Sequence, residues 1–415
     1  MKQPDIIPHL FRTEYRKIVS VLSKLFGIEN IEAAEDIVSD TFLSASELWG
    51  LKGLPENPTA WLYTVAKNRT KDYLKRNALF SKNISKEIKY SSTVSEEIEI
   101  DLSVKNINDS QLAMMFVVCD PCNSAETQIS LVLNMLCGFG VDEIATAFLT
   151  NKEVIYKRLQ RGKEKLRHEK IKIEQPALAE INERLPAVLM ALYLLFNEGY
   201  FSLNQDISLR KDLCLEAMRL TCLLVENKKT NTPPANALLS LMYFHASRFD
   251  ARLNQNGEVI LYDNQDTRLW NQDLVSKGAY FLNQASQGNT LSKYHLEAGI
   301  AYWHTTTTDS KEKWHHILQL YNHLLVIEYS PVAALNRTYA LARAKGKMEA
   351  ITEAEKINLT GNYLYHSLLG ELYNGIDYVK AIGHLEHALT LAKSTTDKTF
   401  IFSKILHCRQ QENNS

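Results

Sequence analysis

Residues 55–77 read PENPTAWLYTVAKNRTKDYLKRN. Pro55 and Pro58 punctuate a loop, and an aromatic, then densely basic, segment follows without another breaker. The spacing predicts a helix from about Ala60 to Arg76. On its wheel Lys67, Lys71 and Lys75 share one face, and Arg69 and Arg76 widen that arc. Leu62, Ala66, Thr70, Tyr73 and Leu74 take the other side. Five bases against one acid between Ala60 and Asn77 are enough to hold several phosphates through salt-sensitive contacts. A solvated amphipathic helix without a partner has the same pattern. Trp61 and Tyr63, at helical spacing, read as core or as base-contacting rings.

Upstream, Leu10, Ile18, Leu22 and Leu25 lie near helical spacing and Gly27 ends that run. The next helix, about Ile31 to Trp49, places Ile37, Thr41, Ala45 and Leu48 on one face. Between Ile28 and Leu48 stand six acids and no Lys or Arg. An acidic helix beside a basic one suggests two partners, a basic protein surface for the first and nucleic acid for the second. Downstream, residues 78–110 are rich in Ser, Asn, Lys and Glu and read as a linker. Helical pattern resumes near Gln111 and runs to about Lys172. Within it, VDEIATAFLTNKEVIYKRLQRGKEKLR (residues 141–167) has helix-turn-helix form. Ile144, Ala145 and Phe148 lie on the first helix, and Leu149 to Asn151 make the turn. Ile155, Leu159, Gly162 and Leu166 share a face of the second. Nine bases against three acids between Lys152 and Lys172 suit entry into a major groove, while a hairpin in a larger bundle remains the plain alternative. Pro176 marks a boundary, and helices follow from about Leu185.

No segment alternates as a strand, so the fold class is all-α. A chain of 415 residues with 45% hydrophobic and 23% charged content reads as two or three ordinary globular domains. The net charge of −1 leaves nucleic-acid contact to local patches. The longest apolar run, Leu185 to Phe196, is too short to span a bilayer, and the N-terminal residues lack a signal-peptide core. Six cysteines in so long a chain do not make a disulfide framework. The expected location is cytoplasmic, without a membrane partner.

AAEDIVSDTFLSASELW, then NPTAWLYTVAKNRTKDYLKR, then the linker and the helix-turn-helix, resemble in order and spacing a bacterial sigma-70 factor of the compact extracytoplasmic-function type. The resemblance covers about residues 8–170. The remainder resembles the subgroup with a long C-terminal helical extension related to tetratricopeptide repeats, through LPAVLMALYLLFNEGYF, HASRFDAR, DNQDTRLW and SPVAALNRTYALA. It implies region 2 at 8–77, a linker at 78–110, region 4 at 111–172 and a regulatory extension at 176–415. The implied partners are core RNA polymerase, through the clamp helices of its largest subunit, and promoter DNA. A protein or small-molecule regulator of the extension is a further implied partner.

The resemblance assigns Glu35, Asp36, Ser39, Asp40 and Leu43 to the polymerase clamp. The loop Leu51 to Thr59 matches the segment that captures a flipped base of the −10 element, whose extrusion needs a pocket. Asn57, Thr59, Lys67, Asn68, Arg69, Lys71, Asp72 and Arg76 face that element. Asn151, Lys152, Tyr156, Lys157, Arg158 and Arg161 would read the −35 element, by guanine edges or phosphates. In the linker, Glu96, Glu97, Glu99 and Asp101 either imitate nucleic-acid charge in the polymerase or form an acidic spacer.

In the C-terminal part, Pro331 to Ile357 and Tyr365 to Ala392 read as helical hairpins, and Gly346 to Gly375 measures a degenerate repeat of 29 residues. His245, Arg248 and Arg252 at i, i+3, i+7, with Asp263, Asp266 and Arg268, form either a carboxylate–guanidinium network or a ligand pocket. Asn197, Glu198 and Tyr200 could join either. Cys119 and Cys122 have CxxC spacing without a second ligand pair, so they read as structural thiols, and no metal or cofactor is expected. No P-loop, GxSxG, GxGxxG or HExxH motif is present, and the chain does not read as an enzyme. A free-standing helix-turn-helix regulator with a helical sensor domain, and a repeat scaffold, are the competing readings. The acidic helix followed by AWLYTVAKN separates the initiation-factor reading from the free-standing regulator, which needs neither, and weak DNA binding with strong protein-partner binding would favour the scaffold.

Overall fold

The computed structural model describes residues 6–84, 99–148, 150–201, 207–252, 260, 262–392 and 395–412. Among them every regular element is helical, as the periodicity requires. The chain forms two compact units, residues 1–230 and 231–415.

The first unit opens with α1 (Ile6–Phe26), α2 (Ile31–Lys52) and α3 (Pro58–Ile84). Gly27, at φ 83°, turns the chain in the left-handed region where a side chain would be strained. Leu10, Ile18 and Leu22 of α1 meet Ala34, Ile37, Val38, Phe42 and Ala45 of α2 and Leu62 and Ala66 of α3 in one core. Two expected core positions face outward. Leu25 and Leu48 are exposed, and Trp49 takes the buried place beside Leu48. Pro58 opens α3 and the Asn57 side chain accepts the Ala60 N–H at 3.0 Å, which caps it.

Of the expected linker at 78–110, residues 78–84 and 99–110 are described, and most of these are helical. α3 continues to Ile84, and α4 (Val104–Val118) starts seven residues before the expected Gln111. Residues 85–98, including Glu96 and Glu97, lie outside the described residues. Beyond them Ile100 and Leu102 are buried in the α1–α3 core while Glu99 and Asp101 face solvent. That alternation belongs to an extended segment packed on one side. Asp101 accepts the Ser103 N–H at 2.8 Å and Ser103 caps α4, so residues 99–103 are an anchored lead into that helix.

α4 is followed by α5 (Ala125–Leu131), which runs into a π-helical turn at Val132–Leu136. Then come α6 (Val141–Ala147) and α7 (Lys152–His168). α8 (Leu178–Phe201) begins before the expected Leu185, and α9 (Ile207–Glu226) closes the unit. α8 packs on α4 and α5, and α9 on α8, α4 and α6. The Arg184 guanidinium of α8 donates to the Phe116 carbonyl and, at 2.8 Å, to the Asp120 carboxylate. The compact unit thus runs past Pro176 to Thr230.

The second unit holds α10 (Pro233–Ala246), α11 (Phe249–Arg252), α12 (Gln272–Ala285), α13 (Lys293–His304), α14 (Lys311–Ile327), α15 (Pro331–Lys345), α16 (Lys347–Ile357), α17 (Tyr363–Tyr373), α18 (Tyr378–Leu391) and α19 (Thr395–Glu412). From α13 onward each helix packs on the next, around a continuous apolar core from Leu296 to Cys408. The pairs α15–α16 and α17–α18 stand where the sequence shows hairpins.

Candidate nucleic-acid interface

The rings of the opening stretch are structural. Trp61 packs edge-on against Trp49 at 5.3 Å, and Tyr73 lies 5.1 Å from Phe26. The Tyr63 hydroxyl donates to Glu14 at 2.7 Å, and burial together with that carboxylate pushes its pKa well up. With one side of α3 committed to the core, its basic side is what remains available. Asn68, Asp72 and Arg76 are exposed, while Thr59, Lys67 and Lys71 are half-buried. Asn57 is exposed as the helix cap. Arg69 bridges to α2, donating to Ser44 at 2.7 Å and Asp40 at 3.3 Å.

On α2, Asp36, Ser39, Asp40 and Leu43 form an exposed strip at helical spacing. The Ser39 hydroxyl pairs with the Tyr15 hydroxyl at 2.8 Å. Glu35 differs from its neighbours. It accepts from Arg16 at 2.8 Å and from Lys163 of α7 at 3.3 Å, and is half-buried. Burial opposes its charge, but the two cations win and hold its carboxyl below the usual carboxylate range. Arg167, one turn further along α7, pairs with Glu32 and donates to the Ile28 carbonyl at 3.4 Å. Part of the acidic face of α2 therefore meets a basic surface within the same chain. Sequence reading assigned that surface to a separate protein.

In α6–α7, Gly140 donates to Glu143 at 2.8 Å and Asn151 accepts the Val154 N–H at 2.9 Å, which caps both helices. Leu149, the first residue of the expected turn, lies outside the described residues. Ile144 and Ala145 are buried, Phe148 is half-buried, and Ile155, Leu159, Gly162 and Leu166 all point inward. A side chain at Gly162 would stand 2.7 Å from the Thr127 methyl, so glycine sets how closely α7 approaches α5. Asn151, Lys152, Tyr156, Lys157 and Arg161 are exposed. Arg158 is half-buried, its guanidinium 3.5 Å from the Ser130 hydroxyl. Lys157, Arg158, Arg161 and Lys165 line an open groove of about 370 Å³ with Asn123 and Thr127. Such a concentration of donors suits an anionic polymer. Lys163 and Arg167, on the side turned to α2, were not among the expected site residues. Their i, i+4 spacing was the available signal.

The C-terminal candidates divide between the two units. Asn197 and Glu198 are half-buried on α8, and the Tyr200 ring stacks on Phe196 at 5.8 Å. In the second unit, Asp266 does not join His245, Arg248 and Arg252 in a buried network. It grips Arg268 at the surface at 2.7 Å, a pair two residues apart, and that guanidinium holds its carboxyl down at about 2. The side chain of Asp263 lies outside the described residues. Cys119 and Cys122 are free thiols, pushed up to about 12 and about 11 mainly by burial. Among the described residues no cluster could hold a metal, and no helix is long and apolar enough to cross a membrane.

Residues 10–79 match the family Sigma-70 region 2. Residues 184–286 match a family of unknown function, DUF6596. An uncharacterized protein of Rhizobium meliloti (strain 1021) is 30% identical over 384 residues, covering 91% of this chain and 90% of that protein. No solved structure matches. The chain belongs with the Rhizobium meliloti protein in one family, and its region 2 match supports membership of the sigma-70 family.

Proposed function

We propose that the protein is a sigma factor of the extracytoplasmic-function type, directing core RNA polymerase to its own set of promoters. The observation that carries this reading is the pairing, through Asp40 and Arg69, of an acidic strip on α2 with the basic side of α3. The strip Asp36, Ser39, Asp40 and Leu43 would take the polymerase clamp. Asn57, Thr59, Lys67, Asn68, Arg69, Lys71, Asp72 and Arg76 would take the −10 element. The exposed donors of α7, Lys152, Tyr156, Lys157 and Arg161, with Asn151 and Arg158, would take the −35 element. The helices beyond Pro176, related to tetratricopeptide repeats in this reading, would modulate the factor.

Run-off transcription with purified core polymerase and a randomised promoter pool tests the proposal. Specific transcripts that disappear in the Asp36→Ala/Asp40→Ala variant support it. Tight promoter binding without polymerase, combined with no core-dependent transcript, would instead support a free-standing regulator.

A further inference from the structure

Helices α17 and α18 are joined through a contact between histidines. His366, in the first turn of α17, is 7% exposed, and its Nε2 stands 2.9 Å from the Thr360 carbonyl. Its Nδ1 stands 3.2 Å from Nδ1 of His384 on α18. His387, one turn further along α18, meets the His366 ring edge-on at 4.3 Å. Tyr373, at the end of α17, stacks on His384 at 5.8 Å.

The partners fix where the protons sit. A carbonyl oxygen only accepts, so His366 Nε2 carries a hydrogen. In the neutral imidazole Nδ1 is then bare, and His384 Nδ1 must donate across the 3.2 Å contact. One extra proton on the pair is tolerated, because whichever ring stays neutral still accepts. With both rings charged, two N–H groups face each other and the contact breaks. Burial first, then His387, holds His366 below the ordinary value of 6.5. Burial first, then His366, His387 and Lys380, does the same to His384, against the pull of Glu355. On the flanking helices Glu355 of α16 accepts from the Tyr373 hydroxyl at 2.6 Å, Glu353 pairs with Arg337 of α15, and Glu386 of α18 pairs with Arg409 of α19. Asp397 of α19 engages Tyr363. Residues 393–396, whose side chains lie outside the described residues, include no acid.

We propose that the contact of His366 with His384, beside His387, makes the α17–α18 hairpin a proton-sensitive joint, closed while the pair is neutral or singly charged and loosened once both rings are charged. An opened hairpin regains ordinary imidazole behaviour, so below 6.5 it takes up protons that the closed one refuses. The stability of the joint is therefore full above 6.5 and is lost as the pH falls through that value toward the depressed folded ones. Opening would bare Leu369 and Leu385, each 1% exposed in the closed hairpin. This goes beyond the promoter-directing role and rests on a different part of the chain.

The test is amide hydrogen exchange in the full-length protein from about pH 7.5 to about 5.5, corrected for intrinsic rates, a range that spans imidazole titration and leaves carboxylates ionised. Histidine ring signals are followed by NMR over the same range. Helix α2, which holds no histidine, is the internal reference. Protection in α17 and α18 should fall about tenfold or more relative to α2 across the range. His384→Gln keeps an amide at the contact but takes up no proton, and should limit that fall to about threefold or less. His323→Gln, at an exposed position on α14, should leave it unchanged. Protection that tracks α2 throughout, or an undiminished fall in His384→Gln, overturns the joint. If His384→Gln does not fold, the wild-type ring signals decide. His366 and His384 titrating together below 6.5 support the joint, and each titrating alone at 6.5 overturns it. Because nothing in the assay depends on transcription, its failure leaves the sigma-factor reading untouched, and the converse holds.

Discussion

Lys163 of α7 lies 3.3 Å from Glu35 of α2, so the helix proposed to read DNA is tied to the helix proposed to grip polymerase. Glu35 also holds Arg16, and both of its pairs are largely shielded from water. Removing one partner from such a pair leaves the other poorly solvated. A double-mutant cycle with Glu35→Ala and Lys163→Ala, read by urea unfolding, should give a coupling of about 1–2 kcal/mol. Reversing both charges should not restore it, because Arg16 would then face a cation. Lys163→Glu alone should loosen α7 from α2 and raise affinity for core polymerase. A coupling below about 0.3 kcal/mol would mean that the contact is incidental.

The same contact carries a pH signature. The Glu35 carboxyl is held below its ordinary value of 4.5 in the fold. Its contribution is therefore present above that value and is lost as the pH falls below it, through the depressed folded value. Hydrogen exchange in α2 and α7 should stay slow at neutral pH and quicken together on acidification below 4.5, sooner than in Glu35→Gln controls normalised to their own neutral rates. Unchanged protection down to global unfolding would contradict this.

Two glycines in the α17–α18 hairpin should respond in opposite directions. A Cβ at Gly370 would stand 2.6 Å from Leu385 Cγ and 3.1 Å from the Ala381 carbonyl, whereas Gly383 has nothing within 4 Å. Gly370→Ala should destabilise by about 1–3 kcal/mol, through overpacking. Gly383→Ala, inside a helix with open space, should stabilise by about 0.5–1 kcal/mol. Equal thermal midpoints for the two variants would show that the hairpin interface is looser than described.

Ile100 and Leu102 should behave as core although they sit beside an acidic run. Leu102→Ala should cost about 2–4 kcal/mol in chemical denaturation, and Glu99→Ala less than about 0.5 kcal/mol. Similar small effects from both would return residues 99–102 to the status of a spacer.

Helical periodicity made the fold class legible, together with the inward face of α7 and, Leu48 apart, that of α2. What it could not supply was pairing at a distance. Glu35 and Asp36 look alike in sequence, and only packing makes the first half-buried with two cations and leaves the second exposed. Leu48 and Trp49 were exchanged for a similar reason, since a helical stripe is wide enough to admit either neighbour. The alternation at Glu99 to Leu102 was visible, but the surrounding charge masked a buried segment too short for a periodicity window. Asp266 chose a partner two residues away over a network that only the fold could have revealed.

The seat of Arg184 against Phe116 and Asp120 bears on how this protein could be shortened. A chain ending at Pro176 would strip a wall from the α4–α5 core and leave Asp120 without its guanidinium, so its failure would report damage rather than regulation. A chain ending at Thr230 keeps that seat. Any lineage discarding its C-terminal helices would meet the same asymmetry, with α8 and α9 retained as masonry of the first unit.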